Sequence, residues 1–385
     1  MEGSSGWQCV RVLPDDGGWH YQILDHVYSI TGGVRPIRPL FTTQDTSFYA
    51  AQVQNGSFVE ARFITDGAGV CNLVGISLRN SGPKQAQTST LNSEATVTLL
   101  KGLKDIVIRQ YIDQSASKKY AAWVDALDPR VIAKLDGGIA SYLSWGLSQV
   151  ARDKHLYVHA PEELDYQVTR YGDRQPSHTV NGANNQICDP GFEARILEGN
   201  IGLMTMTAFS DPPCLAKELE LAMSKLSTTR ALIIDVRLGS GGDGSVVDQI
   251  VNYMYDKPTH LTSSVRRGEG GTDIITKNVT KPKALSETIA LIPLYVLSSS
   301  RTFSAGEALV FSLADRATII GETTRGGGHS TELRLLPHGF SISLPVGKTI
   351  GASTGKGWET TGVIPDEPMD SNVSLKMLLK RLRRE

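Results

Sequence analysis

The sequence has few cysteines, and they follow no pattern. Its four cysteines are scattered over 385 residues, and no two of them form a Cys-x-x-Cys pair. The spacing therefore indicates neither a structural zinc site nor a disulfide framework. We expect reduced thiols with structural roles.

An excess of one charge and long apolar runs are missing as well. Thirty-nine lysines and arginines oppose forty aspartates and glutamates, which leaves a net charge of −1. Such a balance argues against partners such as nucleic acid or an anionic membrane. The longest apolar stretch, residues 289–297, is much shorter than a membrane span and is broken by Pro293. The first residues lack the basic and apolar regions of a signal peptide, so we expect a cytoplasmic protein; a homo-oligomer is compatible with these features.

The periodicity of apolar residues divides the chain into three parts. Residues 1–100 alternate in short runs separated by Asn-Gly and Asp-Gly turns, which predicts a β-rich cap or recognition module. Residues 101–155 carry apolar side chains at three-to-four spacing, which predicts a helical segment. Residues 156–385 begin with a polar stretch and then alternate strands with helices. That alternation predicts an α/β core with a largely parallel sheet.

A glycine-rich loop follows one of the predicted core strands. The loop reads GSGGDG from Gly239, directly after ALIIDVR and before a predicted helix. The pattern G-x-G-x-x-G binds dinucleotides when an acidic residue ends the next strand, but the next candidate strand here carries two arginines. The N–H groups of Gly241 or Gly242 could instead stabilise an oxyanion. Both interpretations remain open from spacing alone.

Ser304 follows a buried strand and opens a helix. A nucleophile at this point would lie at the positive end of the helix, which stabilises nearby negative charge. However, Ser304 and Glu307 also have the spacing of a capping box, which is an ordinary structural motif. The local sequence therefore leaves a nucleophile and a helix cap as alternatives.

Four blocks of sequence occur in order along the second half of the chain: ALIIDVRLGSGG, YVLSSSRTFSAGEAL, RATIIGETTRGGGHS and GWETTGVIPD. Together they resemble the C-terminal-processing peptidases, a family of S41-type serine hydrolases. They are most similar to the branch that contains the tricorn core proteases and the interphotoreceptor retinoid-binding protein repeats. The resemblance covers roughly residues 135–370 and leaves out the first hundred. It implies a crotonase-like catalytic core of repeated ββα units.

The resemblance also implies a catalytic arrangement. Ser304 matches the family's nucleophile, His155 in an Asp-x-His element matches the general base, and Glu359 matches the glutamate that orients this base. The processing-peptidase branch uses a lysine as the base instead. Gly327 stands at the position of that lysine, so we expect a Ser-His-Glu arrangement rather than a serine–lysine dyad.

Further positions follow from the same blocks. The family's oxyanion donors fall on the N–H of Ala305 and on Gly241 or Gly242. Arg325 could bind a carboxylate through two hydrogen bonds or could be a solvated surface arginine. His329 lies on the adjacent glycine-rich loop and is the second candidate for the general base after His155. We assign both Arg325 and His329 to substrate binding. No trio of His, Asp and Glu has metal-ligand spacing along the chain, and we predict neither a catalytic metal nor a cofactor.

These residues predict a serine hydrolase that cleaves a peptide, amide or ester bond through an acyl-enzyme. Its partner would be a peptide or a small-molecule acyl substrate. Because the family's usual PDZ module has no counterpart in the sequence, one alternative is a biosynthetic enzyme that acts on a small metabolite or a peptide natural product. A second alternative is a ligand-binding module on the same scaffold, with Ser304 serving only as a cap.

Overall fold

The computed structural model describes residues 91–135, 138–161, 191–210, 215–268 and 272–384, together with the backbone of six N-terminal strands. These strands form a hairpin and a four-stranded antiparallel meander in the order β3-β4-β5-β6. Their bounds are β1 Val10–Asp15, β2 Gly18–Ile23, β3 Thr42–Thr43, β4 Thr46–Gln52, β5 Phe58–Thr65 and β6 Cys71–Arg79. The described backbone of this region is therefore β-stranded, and its role as a cap or recognition module stays a prediction.

Four helices follow: α1 Ser93–Gln110, α2 Gln114–Asp125, α3 Pro129–Ile132 and α4 Ile139–Ala151. The side chains of Asn92, Asp113 and Asp128 accept hydrogen bonds from the first-turn N–H groups of the first three, as N-cap residues do. Since Asn92 starts α1 at Ser93, the helical part begins ahead of residue 101. The core of this helical part includes apolar side chains four residues apart. Examples are Leu99 and Leu103 on α1, and Leu143 and Leu147 on α4.

A six-stranded sheet forms the centre of the remaining chain, in the order β17-β14-β13-β10-β9-β8. Its outermost strand β8 is antiparallel to β9, and the other neighbours are parallel. The strands are β8 Phe192–Leu197, β9 Ile201–Met206, β10 Ala231–Asp235, β13 Leu294–Ser298, β14 Thr318–Gly321 and β17 Glu367–Pro368. The helices are α5 Leu215–Leu226, α6 Gly244–Met254, α7 Ser286–Ile289, α8 Ala305–Leu313 and α9 Ser371–Leu382.

A second, antiparallel sheet has the order β12-β11-β16-β15, and β7 pairs with part of β16. Its strands are β7 Tyr157–His159, β11 His260–Arg267, β12 Asp273–Val279, β15 His329–Leu335 and β16 Ser341–Gly351. The apolar core of helices α1 to α4 packs on this sheet through buried residues of β16 such as Ile342 and Leu344. This packing holds the segment around residue 155 next to β15.

The predicted mixed α/β class is confirmed, whereas the crotonase-like repeat stays a prediction. Within the described residues, no helix combines the length and apolar character needed to cross a membrane. The parallel strands β10 and β13 are neighbours, with Asp235 opposite Leu297. The glycine-rich loop leaves the end of β10 and the Ser304 segment leaves the end of β13, so these two segments meet at the carboxyl edge of the sheet, where α/β proteins usually bind ligands.

Candidate active site

Ser304 lies in a sharp turn between β13 and α8. Its backbone has φ 54° and ψ −118°. An ordinary N-cap residue is extended, and a positive φ is uncommon for any residue other than glycine. Such strain persists only where the surroundings enforce it, and a strained strand-to-helix turn is the way α/β-hydrolases expose a nucleophilic serine.

Glu307 holds this turn in place. Ser304 and Glu307 form the capping box that their spacing predicts, and the Ser304 N–H donates to Glu307 Oε2 at 2.9 Å. The fully buried carboxylate also accepts the hydroxyl of Thr324 at 2.6 Å and the N–H groups of Gly326 at 2.5 Å and Gly327 at 2.7 Å. One side chain thus connects the Ser304 turn to the second glycine-rich loop, and the cap coexists with the strained serine.

The first glycine-rich loop lies directly against Ser304. The Phe303 N–H donates to the carbonyl oxygen of Gly239 at 3.0 Å. Gly241 has φ 98°, and a Cβ at this position would lie 2.7 Å from Ser304 Cβ and 3.4 Å from the backbone nitrogen of Ala305. Only glycine permits this approach, both for the contact and for the backbone angle.

Gly242 faces a different neighbour. It forms a bridge with Phe209, and a Cβ on Gly242 would lie 2.2 Å from the Phe209 carbonyl oxygen. Asp243 then caps α6 by accepting the Ser245 N–H at 2.9 Å. A carboxylate at this helix start competes with a pyrophosphate, so the loop disfavours the dinucleotide interpretation.

His155 is buried beside the serine turn. Its ring stacks on Phe303 with 4.5 Å between centroids and an interplanar angle of 21°. Burial lowers the pKa of His155 to about 4, so the ring is neutral near pH 7. Neither ring nitrogen has a hydrogen-bond partner in the described part of the chain. The predicted hydrogen bonds to Ser304 and Glu359 are therefore not formed in this conformation.

Glu359 lies on the segment that follows β16. Its Oε2 accepts the N–H groups of Gly328 at 2.6 Å and His329 at 3.1 Å. Its Oε1 is buried and lacks a partner among the described residues. Burial, with a contribution from the negative charge of Asp153, raises the pKa of Glu359 to about 6.

A hydrogen-bonded cluster joins Glu359 to the start of β15. Asp153 accepts the Tyr111 hydroxyl and the His329 Nδ1–H on the same oxygen, each at 2.7 Å. The same His329 nitrogen lies 3.8 Å from Glu359 Oε2. Although burial opposes a charged imidazole, the hydrogen bond to Asp153 outweighs it and raises the pKa of His329.

This cluster corrects one sequence-based expectation. Ligand atoms of Asp153, His329 and Glu359 lie within 4.8 Å of one another, a spacing that could hold a metal ion. The expectation that no His, Asp and Glu trio has metal-ligand spacing is thus wrong in space, because the three residues come from distant segments. In the structure, the His329–Asp153 hydrogen bond already joins two of these groups.

Two cationic side chains border the serine turn. The Arg325 guanidinium lies 4.8 Å from the centre of the Phe303 ring, and the Lys154 ammonium donates to the Arg325 carbonyl oxygen. Burial and the neighbouring Arg325 lower the pKa of Lys154. Sequence analysis did not assign roles to Phe303 and Lys154, although both are direct neighbours of assigned residues.

Gly327 occupies a crowded position. A Cβ there would lie 2.2 Å from Phe303 Cε2 and 2.7 Å from His155 Cε1. Such distances do not occur between real Cβ atoms and ring carbons, so a larger residue requires the stacked pair to move. The stack of His155 on Phe303 and a lysine at position 327 therefore exclude each other in this arrangement.

Comparison with known proteins agrees with the sequence blocks. The family model of peptidase family S41 matches residues 200–369. The chain is 27% identical over 194 residues to the carboxyl-terminal-processing peptidase 2, chloroplastic, of Arabidopsis thaliana, a match that covers 50% of this chain and 36% of that relative. The chain thus matches only about a third of that relative's length.

Solved structures show the same fold. A presumed peptidase from Parabacteroides merdae superimposes with a TM-score of 0.56 at 16% identity, covering 76% of this chain and 97% of the other. The photosystem II D1 C-terminal processing protease gives a TM-score of 0.50 at 16% identity, covering 75% and 97%.

The family match indicates the class of serine-type peptidases and hydrolases. The match of residues 200–369 to the model of peptidase family S41 confirms the resemblance inferred from the four sequence blocks.

Proposed function

We propose that this protein is a serine hydrolase that cleaves a peptide, amide or ester bond through an acyl-enzyme on Ser304. The observation that carries the proposal is the strained backbone of Ser304, φ 54° and ψ −118°, at a strand-to-helix turn. A cap alone does not require this conformation, whereas α/β-hydrolases use a strained strand-to-helix turn to expose their nucleophile.

His155 is the general base of the proposed reaction. A neutral imidazole can take the Ser304 hydroxyl proton while Oγ attacks the carbonyl carbon, and can return that proton to the leaving group. Water then attacks the acyl-enzyme by the same route, which regenerates the serine. The low pKa of His155, about 4, supports the neutral form that a base needs.

Glu359 orients this base. The ring nitrogens of His155 and Glu359 Oε1 are buried polar atoms without partners in the described residues. The two residues pack against consecutive glycines in space: His155 packs against Gly327, and Glu359 packs against Gly328. Because an unpaired buried donor or acceptor is costly, a movement that joins them is favourable. Catalytic hydrogen bonds often tighten in this way only when substrate binds.

The oxyanion of the tetrahedral intermediate binds the N–H groups of Gly241 and Ala305. Gly241 approaches both Ser304 and Ala305, whereas Gly242 faces Phe209. This contrast supports Gly241, rather than Gly242, as the second oxyanion donor beside the N–H of Ala305. Two donors at this point would stabilise charge that develops only in the transition state.

The substrate is a peptide or a small acyl compound with a carboxylate near the scissile bond. The guanidinium of Arg325 lies over Phe303, and the Lys154 ammonium is held next to it. Arginine can bind a carboxylate through two parallel hydrogen bonds. His329 was assigned to the same role from the sequence, but its buried ring and its bond to Asp153 support a different one, which is argued below.

The experiment is labelling of the full chain with a fluorophosphonate probe, followed by peptide mapping. We expect one adduct on Ser304 and no adduct in Ser304→Ala. Ser300→Ala is the matched control, because Ser300 is an exposed serine in the same segment, and this variant is expected to label as the wild type does. A folded wild-type chain that does not react contradicts the proposal and favours the ligand-binding alternative. Product analysis with peptides and small esters distinguishes proteolysis from a biosynthetic reaction.

A further inference from the structure

One imidazole N–H faces two carboxylates, one buried and one partly buried. Nδ1 of His329 lies 2.7 Å from Asp153 Oδ2 and 3.8 Å from Glu359 Oε2. The side chains of His329 and Asp153 are only 9% and 2% exposed. None of the catalytic steps proposed above uses this imidazole.

The two carboxylates repel each other. The ligand oxygens of the two residues lie within 4.8 Å of each other. Two negative charges this close disfavour ionisation of both, and partial burial together with the charge of Asp153 raises the pKa of Glu359. His329 has the opposite effect on Glu359, since its positive charge favours the ionised carboxylate. Lys348, opposite His329 in the β15–β16 ladder, opposes the positive charge of His329.

Asp153 is held firmly enough to fix the position of His329. Its two oxygens accept the Tyr111 hydroxyl at 2.7 Å and the His155 backbone N–H at 2.8 Å. The Tyr111 ring also contacts the His329 ring edge-on, with 6.2 Å between centroids. Asp153 therefore connects the backbone that carries the proposed base to the imidazole beside Glu359.

We propose that Asp153 and His329 form a positioning pair that keeps Glu359 charged and turned toward His155. The pair acts on Oε2, which already accepts the N–H groups of Gly328 and His329. With Oε2 occupied, Oε1 is the oxygen left for the imidazole of His155. This inference rests on the function proposed above, because it assigns His329 an effect on the rate of Ser304 rather than on substrate binding.

The test is the concentration dependence of fluorophosphonate labelling, which separates the maximal rate of inactivation from the concentration that gives half of it. We expect His329→Ala to lower the maximal rate by up to about 100-fold, since a misplacement of a catalytic group by about 1 Å can cost that much. The half-saturating concentration should not change. His329→Asn can still donate to Asp153 but carries no charge, so its rate should lie between those of wild type and His329→Ala.

A double variant identifies the residue through which His329 acts. If His329 works through Glu359, then His329→Ala combined with Glu359→Gln should label no more slowly than Glu359→Gln alone. His159→Ala is the matched control, because His159 on β7 is another histidine with a buried ring. Its ring forms a hydrogen bond with the Ser343 hydroxyl at 2.8 Å. This control should keep the wild-type labelling rate even if it melts at a lower temperature.

Three results would overturn the inference while leaving the serine mechanism intact. They are a wild-type rate in His329→Asn, a multiplicative loss in the double variant, and a raised half-saturating concentration at an unchanged maximal rate. The last of these would assign His329 to substrate contact. A wild-type protein that is not labelled at Ser304 overturns both this inference and the proposed function, so the two failures can be told apart.

Discussion

Two glutamates near Ser304 have different surroundings. Each oxygen of Glu307 accepts two hydrogen bonds, and the side chain is fully buried. Glu359 accepts two hydrogen bonds on one oxygen and none on the other among the described residues. A carboxylate whose two oxygens both accept hydrogen bonds stabilises the fold. A carboxylate with a buried oxygen that accepts none can still bind a donor during a reaction. The comparison therefore supports a structural role for Glu307 and the functional role proposed for Glu359.

Ser304→Ala is expected to have the largest effect, because both glutamates serve this residue. Losing the nucleophile should remove covalent labelling and lower turnover by a factor on the order of 10⁶. The fold should persist, since losing a helix cap costs about 0.5–2 kcal/mol. Labelling, turnover and thermal unfolding of the same preparation check this. A variant that loses stability but keeps the wild-type rate would show that Ser304 is only a cap.

Exchanging each glutamate for glutamine tests the comparison directly. In Glu359→Gln, we expect the labelling rate to fall by about 10²–10⁴-fold, since the proposed base loses the group that orients it. Stability should change little, because the glutamine carbonyl can still accept both N–H groups. Denaturant unfolding measures the second quantity.

Glu307→Gln should behave in the opposite way. The amide can replace only one accepting oxygen, so two of the four donors lose their partner. We expect a loss of about 2–6 kcal/mol of unfolding free energy, at about 1–3 kcal/mol for each unsatisfied donor. The comparison fails if Glu359→Gln is the less stable variant, or if Glu307→Gln is as stable as the wild type.

Gly241→Val tests the other side of the serine turn. The new Cβ would lie 2.7 Å from Ser304 Cβ, and valine disfavours a φ of 98°. We expect turnover to fall by about 10²–10³-fold through loss of one oxyanion donor. Gly355→Val is a control for the backbone angle alone, because Gly355 has φ 63° with no heavy atom near its Cβ position. Equal losses in both variants would mean that backbone strain, and not the oxyanion site, causes the effect.

The pH dependence gives the smallest expected effect. Glu359, whose pKa is raised to about 6, must be ionised to stabilise a charged His155. The labelling rate should therefore decrease as the pH falls through about 6. His155 does not cause this decrease, since its pKa of about 4 keeps it neutral over this range. The profile of Glu359→Gln should lack this step, and a step that persists there would assign it to another group.

The sequence predicted which segments meet at the proposed site better than it predicted how the side chains there are connected. Local patterns and adjacent parallel strands made three features predictable. They are Ser304 at a helix start, the glycine-rich loop beside it and the α/β alternation. The hydrogen bond between Asp153 and His329 was not, since it joins residues that are far apart in sequence. The positive φ of Ser304 was also not predictable, because Ser-x-x-Glu is equally the pattern of an ordinary capping box.

The glycine at position 327 has a consequence for how such sites can change over time. A side chain there would overlap the stack of His155 on Phe303. The resemblance described above implies that the lysine base of the processing peptidases would stand at this same position. A chain that keeps the stack therefore cannot carry that lysine, and a lysine at position 327 requires the stacked pair to move. Under the function proposed above, exchanging one base for the other thus needs changes at more than one position.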